Sequence, residues 1–439
     1  MNGRILLSLL LWLAFAVNAM GQVNCSASTK LVCQVPFATG TTVGGGTVSP
    51  AVVDAAAGFN APIGAQLSQL PLASSSSGFV TLLGPGGVPT NLKDLGPILT
   101  DGAQTLGANK LFVGFSFQQY NFNNINGIPL RNVPFTYPAT VGSSTYWVQN
   151  GEHISFKYDQ YVTVFTVGLT QTTDVSVIVP INRVSIGAGN VGSQYQYVFT
   201  PNDSSTANYI TTLTSNAKFV PGIASGVGDL LFNIKHVLWK TSSERAVLSG
   251  GFLLRAPTGD ALNYLGSGAW GFDPYAIFSY QARISPHVRL GYQWNTNSVL
   301  MNPTGIPGQN QNLPGGLQFN VGADWIASKQ VTIVTDILGN QFLNSPTLVK
   351  SVVADPRSGY QNIPTASFPD PTNSTSMITV GSLPTVVRVN SSYTVGYFSV
   401  GAKWSPWKEL LLYANVLFQM NNTGLKSSPV PMVGISYKF

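Results

Sequence analysis

The last seven residues, Val433–Phe439, read VGISYKF and decide how the rest of the sequence is interpreted. Apolar side chains at Val433, Ile435, Tyr437 and Phe439 alternate with small or polar ones, which is the pattern of a β-strand with two different faces. Chain ends usually fray, so a regular strand that runs to an aromatic residue indicates a partner for this end. The last strand of a closed β-barrel has one, because it pairs with the first.

The composition excludes two broad classes of protein. Only 9% of the 439 residues are Asp, Glu, Lys or Arg, against about 25% in a typical soluble protein. The mean hydropathy is only +0.17, and no run of 18 apolar residues follows the N-terminal region, which argues against helical membrane spans. The net charge of +6 has no basic run behind it, so the sequence predicts no nucleic-acid surface.

Five further stretches show the same alternation of apolar and polar residues. They read LFVGFSF at 111–117, HISFKYDQYVTV at 153–164, DLLFNIKHVLW at 229–239, HVRLGYQWN at 287–295 and LQFNVGADW at 317–325. Extending the count predicts about twelve strands. These are 110–118, 154–169, 174–185, 228–239, 246–257, 274–283, 287–299, 316–326, 330–341, 394–404, 409–420 and 430–439.

The connections between these strands alternate strictly between short and long. TQTT, KTSSE, ISP, ASK and SPWK are short, and 119–152, 186–226, 258–272, 300–315, 342–392 and 421–429 are long. Tight periplasmic turns and long outer loops are the organisation of transmembrane β-barrels. We therefore expect an all-β transmembrane antiparallel β-barrel of about 12 strands, with 14 as the alternative. A water-soluble β-sandwich would need neither so few charges nor such loop asymmetry.

The N-terminal region predicts export and an extension before the barrel. A short positive region at Arg4, an apolar stretch from Leu6 to Val17 and small residues after it form a secretory signal, which we place at 1–21. Residues 22–106 lack strong periodicity and predict a periplasmic segment or a plug, and 107–439 the barrel. Cys25 and Cys33 could form a disulfide in an exported protein; two unpaired thiols are the alternative.

Several stretches resemble a known family. They are TLGANKLFVGFSFQQYNFNNINGIPL, YVTVFTVGLTQTTDVSVIVPI, GVGDLLFNIKHVL, LLRAPTGDALNYLGSGAWGFDPYAIFSY and ISPHVRLGYQWN. Together they are similar to the outer-membrane proteins of the MetA-pathway of phenol degradation family, distant relatives of the long-chain fatty acid and toluene transporters. The similarity runs from about residue 105 onward and lies in the order of segments. It implies a barrel that passes small hydrophobic or aromatic compounds. The fatty-acid transporters have fourteen strands and a plug, so their substrate site does not carry over directly.

Every second residue of a strand lies on the same face, and this alternation predicts a polar lining of the lumen. The candidates are Lys157, Asp159, Lys235, Arg255, Arg283, Arg289, Asp324, Asp336 and Lys403. Such a lining orients solutes or sets ion preference. In a narrow bore of about twelve strands, opposite charges could instead pair across the lumen as a structural network. Both signs occur, so no ion selectivity is predicted.

Apolar cargo would need a different path. The aromatic candidates for it are Phe112, Tyr120, Tyr161, Phe165 and Tyr413, with packing inside a crowded lumen as the alternative. Pro180 cannot donate to a sheet ladder, so it predicts a strand break or bulge, comparable to the side opening of the fatty-acid transporters, or simply a strand end near Val179.

Other motifs carry weaker predictions. His153 and Ser155 form H-x-S, a spacing used by a barrel phospholipase, but parity with Lys157 places them at the lumen or rim, where a polar rim is the simpler interpretation. RAPTGD, from Arg255 to Asp260, is more typical of a turn than of a phosphate-binding loop. The long loop 342–392 could cover the mouth as a lid or be a surface loop.

The sequence thus predicts an outer-membrane channel for passive uptake of small hydrophobic or aromatic compounds, with no enzymatic activity and no cofactor or metal. The alternatives are a structural or adhesive barrel and a general porin. The predicted partners are outer-membrane lipid and lipopolysaccharide, small hydrophobic solutes, and the assembly machinery that reads the C-terminal strand. The substrate and the oligomeric state stay open.

Overall fold

The computed structural model of the chain describes most of its residues. The described ranges are 28–35, 58–74, 80–83, 89–141, 144–190, 194–199, 207–213, 221–303, 312–352, 366–370, 373–380, 384–407 and 409–439. The predicted signal segment 1–21 lies outside these ranges.

Strands dominate the described part of the chain. They are β1 (Val80–Leu83), β2 (Pro89–Asp94), β3 (Leu111–Ile125), β4 (Ile128–Pro129), β5 (Val133–Val141), β6 (Ser144–Gly168), β7 (Thr173–Asn190), β8 (Gln194–Phe199), β9 (Ala207–Leu213), β10 (Gly222–Val227), β11 (Leu230–Lys240), β12 (Ala246–Ala256), β13 (Gly271–Tyr280), β14 (Ile284–Asn295), β15 (Gly316–Ile326), β16 (Val331–Val352), β17 (Ala366–Asp370), β18 (Asn373–Val380), β19 (Pro384–Trp407), β20 (Leu410–Gln419), β21 (Leu425–Ser427) and β22 (Val430–Lys438). The helices are α1 (Asn60–Leu67) and three 3-10 turns at Leu31–Cys33, Ala261–Asn263 and Val299–Met301.

Twelve of the described strands form a closed antiparallel barrel, which confirms the predicted fold and strand count. The order around the ring is β3, β6, β7, β11, β12, β13, β14, β15, β16, β19, β20 and β22, and β22 pairs with β3. Val433 lies opposite Phe117 in this last ladder, and the backbone N–H of Phe439 donates to the carbonyl of Leu111 at 2.7 Å. The partner expected for the C-terminal strand is therefore the first barrel strand.

The outer face of the barrel is apolar where it crosses the membrane. On β14, Leu290 and Trp294 are 52% and 54% exposed, whereas Arg289 and Gln293, the residue directly before each of them, are buried in the lumen. This alternation follows from the period of two along a strand, and the closed ring leaves no free edge in lipid. No helix in the described part of the chain is long and apolar enough to cross a membrane.

Several strands run further outward than the sequence indicated. The predicted loop 342–392 is largely regular, since β16 extends to Val352 and β19 begins at Pro384. The predicted loop 119–152 likewise contains the ends of β3 and β6 together with β5. The predicted strand ends at 118 and 341 and the predicted strand start at 394 were therefore wrong, because the paired backbone continues past them to Ile125, to Val352 and from Pro384. Residues 353–365, 371–372 and 381–383 of the predicted lid or surface loop lie outside the described residues.

Part of the N-terminal region lies inside the barrel. The α1 helix contributes to a large buried apolar cluster together with barrel residues such as Phe135 and Phe342. The side-chain amide of Asn60 donates to the Val32 carbonyl at 2.9 Å and accepts from the Tyr264 hydroxyl at 2.5 Å. Cys33 is disulfide-bonded, and the one other cysteine of the sequence, Cys25, lies outside the described residues.

Candidate functional site

The chain crosses the periplasmic end of the lumen at residues 95–106, which we call the clamped segment. Two buried lysines from opposite parts of the ring hold it. The Lys403 ammonium donates to the Leu95 carbonyl at 3.1 Å and to the Pro97 carbonyl at 2.5 Å, and the Lys235 ammonium donates to the Gly102 and Gln104 carbonyls at 2.9 and 2.7 Å. Charge-assisted hydrogen bonds of this kind are stronger than neutral ones, so these lysines fix the segment's path.

Carboxylates complete the contacts of the clamped segment. The Thr100 hydroxyl donates to Asp336 Oδ1 at 2.9 Å, and the Leu106 N–H donates to Asp174 Oδ2 at 2.9 Å. The His287 ring lies between two acids, with Nε2 2.8 Å from Asp336 Oδ1 and Nδ1 3.6 Å from Asp324 Oδ2. The charged lumen side chains at this level therefore contact the chain that crosses the lumen or one another.

A second stretch, residues 68–74, crosses the lumen further outward, and we call it the crossing segment. The Arg255 guanidinium donates to the Ser68 carbonyl at 2.6 Å, Asn340 donates to the Gln69 carbonyl at 2.8 Å, and Gln118 donates to the Pro71 carbonyl at 2.8 Å. Because backbone carbonyls inside the lumen have no strand partner, these polar side chains satisfy them.

Between the crossing segment and the barrel wall lies a cavity of about 140 Å³, which we call the inner chamber. Its aliphatic lining includes Leu70, Leu72, Leu99, Ile178, Leu231, Leu253 and Leu338. Its polar lining includes Asp101, Asn233, Arg255, Asp273, Tyr275, Arg289, Gln293, Gln318, Asn320 and Asn340. A space with an apolar lining and a few hydrogen-bonding groups is the usual form of a small-molecule site.

Arg289 is the best-fixed cation of the polar lining. Its guanidinium forms an ion pair with Asp273, donates to Gln318 Oε1 at 3.1 Å and lies over the Tyr275 ring, 4.5 Å from the centroid. The Tyr275 hydroxyl in turn donates to Asn233 Oδ1 at 2.7 Å. Each of these side chains has a partner, so the polar lining is held in place without a ligand.

A smaller cavity of about 70 Å³, the side chamber, shares Leu70, Leu72, Leu231 and Arg255 with the inner chamber and extends to Pro180 and Asp229. Here the wall changes its pairing. β10 pairs with β7 up to Val227 opposite Ile181, β11 resumes at Leu231 opposite Ile178, and between them the Gly228 N–H donates to the Pro180 carbonyl at 2.8 Å. The side chamber thus ends at an interruption of the sheet.

This geometry corrects the prediction for Pro180. The β7 strand does not break there, and its ladder with β6 is continuous from Asn182 opposite Gln160 to Ile178 opposite Val164. The interruption lies on the other side, in the strand formed by β10 and β11. Proline lacks an N–H, so the neighbour strand leaves the ladder with β7 for three residues, Gly228 to Leu230, where no donor is offered.

The predicted polar lining is partly correct in position. Six candidates are buried and face the lumen: Lys235, Arg255, Arg289, Asp324, Asp336 and Lys403. Three do not. Lys157 is exposed and Asp159 is partly exposed on the outer face of β6, and Arg283 lies exposed in the periplasmic turn before β14.

The reason for the error at Lys157 and Asp159 lies in the height of β6. Their parity with each other is as predicted, but the apolar partners Phe156 and Tyr158 face inward, where both are at most 3% exposed. This part of β6 lies above the apolar band of the membrane, so its outside faces polar surroundings and the N-terminal region packs against its inside. The alternation of polar and apolar residues shows which residues share a face of the strand, but it does not show which face contacts water.

The predicted aromatic path does not form a continuous lining. Phe112, Tyr120 and Tyr413 face the lumen, whereas Tyr161 and Phe165 lie on the outer face, Phe165 being 44% exposed. None of the five lines the inner or the side chamber. The Tyr120 ring instead packs near Phe122 and Tyr158, so packing is the role that its contacts support.

The sequence did not identify several residues that form the chambers. Tyr275 and Asp273 lie at inward positions of β13 and could have been found by strand parity. The crossing segment and Asp101 of the clamped segment could not, because neither segment has a periodic pattern that places it inside the barrel.

His153 and Ser155 lie on the outer face of β6, not in the lumen. In the described part of the chain no hydrogen bond joins the two side chains, although His153 has another contact. Among the described residues the structure gives the Ser155 hydroxyl no hydrogen bond to the His153 ring. The RAPTGD stretch forms a turn, in which Asp229 accepts from the Gly259 N–H at 3.1 Å.

The chain was compared with known proteins. The family model described as "Putative MetA-pathway of phenol degradation" matches residues 139–306, which confirms the resemblance to that family. No curated protein matches the sequence. The barrel is similar to an outer membrane channel from Pseudomonas putida F1, with 11% identity, a TM-score of 0.44, and coverage of 77% of this chain and 98% of that one.

Two further solved structures are more distant. A FadL homologue of Pseudomonas aeruginosa has 10% identity and a TM-score of 0.27 over 75% of this chain and 89% of its own. The TodX monoaromatic hydrocarbon channel, as a ΔS2 mutant, has 9% identity and a TM-score of 0.25 over 77% and 92%. These values carry no argument about cargo. The closed barrel with its apolar exterior places the chain in the outer membrane.

Proposed function

We propose that this outer-membrane barrel is a passive channel for small hydrophobic compounds, in particular single-ring aromatic ones. The observation that carries the proposal is the inner chamber, whose lining combines seven aliphatic side chains with polar groups that are held by their own partners. Its volume of about 140 Å³ is close to that of an engineered apolar cavity of about 150 Å³ that binds benzene. One aromatic ring therefore fits in the inner chamber.

The route that we propose for such a molecule ends at the side of the barrel. The clamped segment closes the direct path to the periplasm through its bonds to Lys235 and Lys403. The side chamber instead leads from the inner chamber to the interruption beside Pro180, where Ile181 and Val227 on the outer face are 46% and 50% exposed. An apolar molecule that left there would enter lipid without crossing the clamped segment.

A structural barrel without transport is the second candidate. The observation in its favour is that both the crossing and the clamped segment are held by several hydrogen bonds, so the lumen is filled by the chain itself. In the porin alternative, the bore admits small polar solutes as readily as aromatic compounds.

Transport into liposomes tests the proposal. We expect benzene, toluene and phenol to enter faster with the protein than without it, and small sugars not to. Leu253→Trp fills the inner chamber from its aliphatic lining and should slow aromatic entry several-fold. The matched control is Phe252→Trp, because Phe252 is the neighbouring residue on the lipid face; it should transport like the wild type.

Each other outcome selects an alternative. Equal entry of sugars and aromatics would indicate a porin, and no entry of either would indicate a structural barrel. If both tryptophan variants transport like the wild type while aromatics still enter, the inner chamber is not on the path.

A further inference from the structure

A groove of about 430 Å³ lies on the outer wall of the barrel, away from the lumen. It forms where β6 changes partner. β6 pairs with β3 up to Phe156 opposite Phe122 and with β5 from Glu152 opposite Val133. Between these ladders the Ile154 N–H donates to the Leu130 carbonyl at 2.7 Å. The open stretch of wall becomes a groove with backbone and proline as its floor.

Polar and basic side chains line this outer groove. They are Asn121, Asn123, Asn124, Arg131, His153, Ser155 and Lys157. Arg131 and Lys157 are exposed, and in the part of the chain that the structure describes neither forms an ion pair. A guanidinium and an ammonium beside amide and hydroxyl donors are the groups that bind phosphate.

The acidic groups nearby do not neutralise the groove. Asp159 is the next outward-facing residue of β6 after Lys157 in the direction of the periplasm. The Gln119 side-chain amide donates to Asp159 Oδ1 at 2.8 Å, and Arg183 lies opposite Asp159 in the ladder. Glu152 points to the inside and is fully buried. Burial raises the pKa of Glu152 to about 8, so it carries little negative charge at neutral pH.

The height of the outer groove in the membrane follows from the strand. Lys157 precedes the periplasmic end of β6, Gly168, by eleven residues, which at about 3.3 Å per residue and a tilt of about 40° is roughly 28 Å along the membrane normal. The apolar band of such barrels is about 25 Å tall and ends in aromatic side chains. Tyr161 and Phe117, with ring centroids 4.9 Å apart on the outer face, lie just below. The groove is therefore at the level of the outer headgroups.

We propose that the outer groove binds a phosphate group of the phosphorylated glycolipid of the outer leaflet, lipopolysaccharide. Arg131 and Lys157 contact the phosphate, and Asn121, Asn123 and Ser155 donate to its remaining oxygens or to the sugar. The site is independent of transport, since it shares no lining residue with the inner or the side chamber. It holds the lipid beside the aromatic pair of Tyr161 and Phe117.

Binding of diphosphorylated lipid A to the full-length protein in detergent, measured by native mass spectrometry, tests this proposal. The variant Arg131→Gln/Lys157→Gln should weaken binding at least about tenfold, as expected for the loss of charge-assisted bonds. The matched control is Arg283→Gln/Lys329→Gln, which removes the same two charges from exposed periplasmic turns. It should bind like the wild type.

Two further arms fix the identity of the ligand. A lipid A without phosphate should bind the wild type as weakly as the groove variant binds the diphosphorylated form. Inorganic phosphate at millimolar concentration should not displace the lipid. Equal weakening in both double variants would overturn the site, and full displacement by inorganic phosphate would overturn its assignment to a lipid.

Discussion

Two levels of the lumen use buried cations in different ways. At the periplasmic level, Lys235 and Lys403 direct their ammonium groups at backbone carbonyls of the clamped segment. At the level of the inner chamber, Arg255 and Arg289 border open space and are paired with Asp229 and Asp273. The first level closes the barrel with its own chain, and the second keeps a cavity open.

The difference follows from the two side chains. An ammonium group is a compact charge on a flexible stem and can donate to carbonyls in several directions, whereas a guanidinium is planar and pairs with a carboxylate in a fixed geometry. The two lysines therefore hold the irregular clamped segment, and Arg289 holds the chamber wall through Asp273. Arg255 contacts both the wall, at Asp229, and the crossing segment, at the Ser68 carbonyl.

The largest expected effect is on the conductance of the barrel, when the clamped segment at the periplasmic level is released. Replacing both lysines, Lys235→Met/Lys403→Met, removes four bonds to the clamped segment, each worth about 1.5–3 kcal/mol when charge-assisted. The equilibrium toward an open lumen should shift by more than about tenfold. The expected result is a large rise in single-channel conductance in planar bilayers and in sugar entry into liposomes.

The control variant for this experiment removes two positive charges from a different part of the barrel. Lys240 and Lys329 lie exposed at periplasmic turns, so Lys240→Met/Lys329→Met should conduct like the wild type. A clamped-level variant that stays as closed as this control would show that other contacts hold the segment.

The next effect concerns the stability of the open level. Arg289→Leu leaves Asp273 buried without its partner and should lower the free energy of unfolding by about 3 kcal/mol. Adding Asp273→Leu should recover much of this loss, because no charge is then left unpaired. Urea unfolding in detergent, followed by tryptophan fluorescence, measures both.

The comparison variant is Arg283→Leu at an exposed turn, which should change stability by less than about 0.5 kcal/mol. If Arg289→Leu were no worse than Arg283→Leu, the ion pair would not be what maintains the chamber wall, and the contrast between the two levels would fail.

The smallest expected effect tests whether the cargo leaves the barrel through the side chamber. A β-carbon at Gly228 would meet Asn182, the Leu265 carbonyl and Pro180, so Gly228→Ala narrows the side chamber. We expect a several-fold slower entry of toluene into liposomes and unchanged conductance. Gly250→Ala, at a glycine whose added carbon would meet only the Leu238 side chain, is the control. Equal toluene entry in both variants would indicate that the cargo leaves past the clamped segment instead.

The sequence predicted the ring and its closure well, because a period of two along each strand is a local property. It placed Arg289 and Asp336 in the lumen for the same reason. It placed Lys157 on the wrong face of β6, because the same alternation occurs where a strand has passed the apolar band of the membrane. There the polar residues face outward. The paths of the crossing and clamped segments depend on contacts such as Asn340 with Gln69, far apart in the chain, and no local pattern encodes them.

The ladder between β22 and β3 has a consequence for the order of folding. It joins Phe112 to Lys438, so almost the entire barrel sequence lies between the two partners. Bringing such distant strands together has a high entropic cost before any contact forms, and folding slows as contacts become less local. Until that last pairing, the sheet would present two unpaired edges that could bind another chain. Closure of the ring is therefore expected as a late step of folding, and the edges of β3 and β22 are the places where a foreign strand could pair before it.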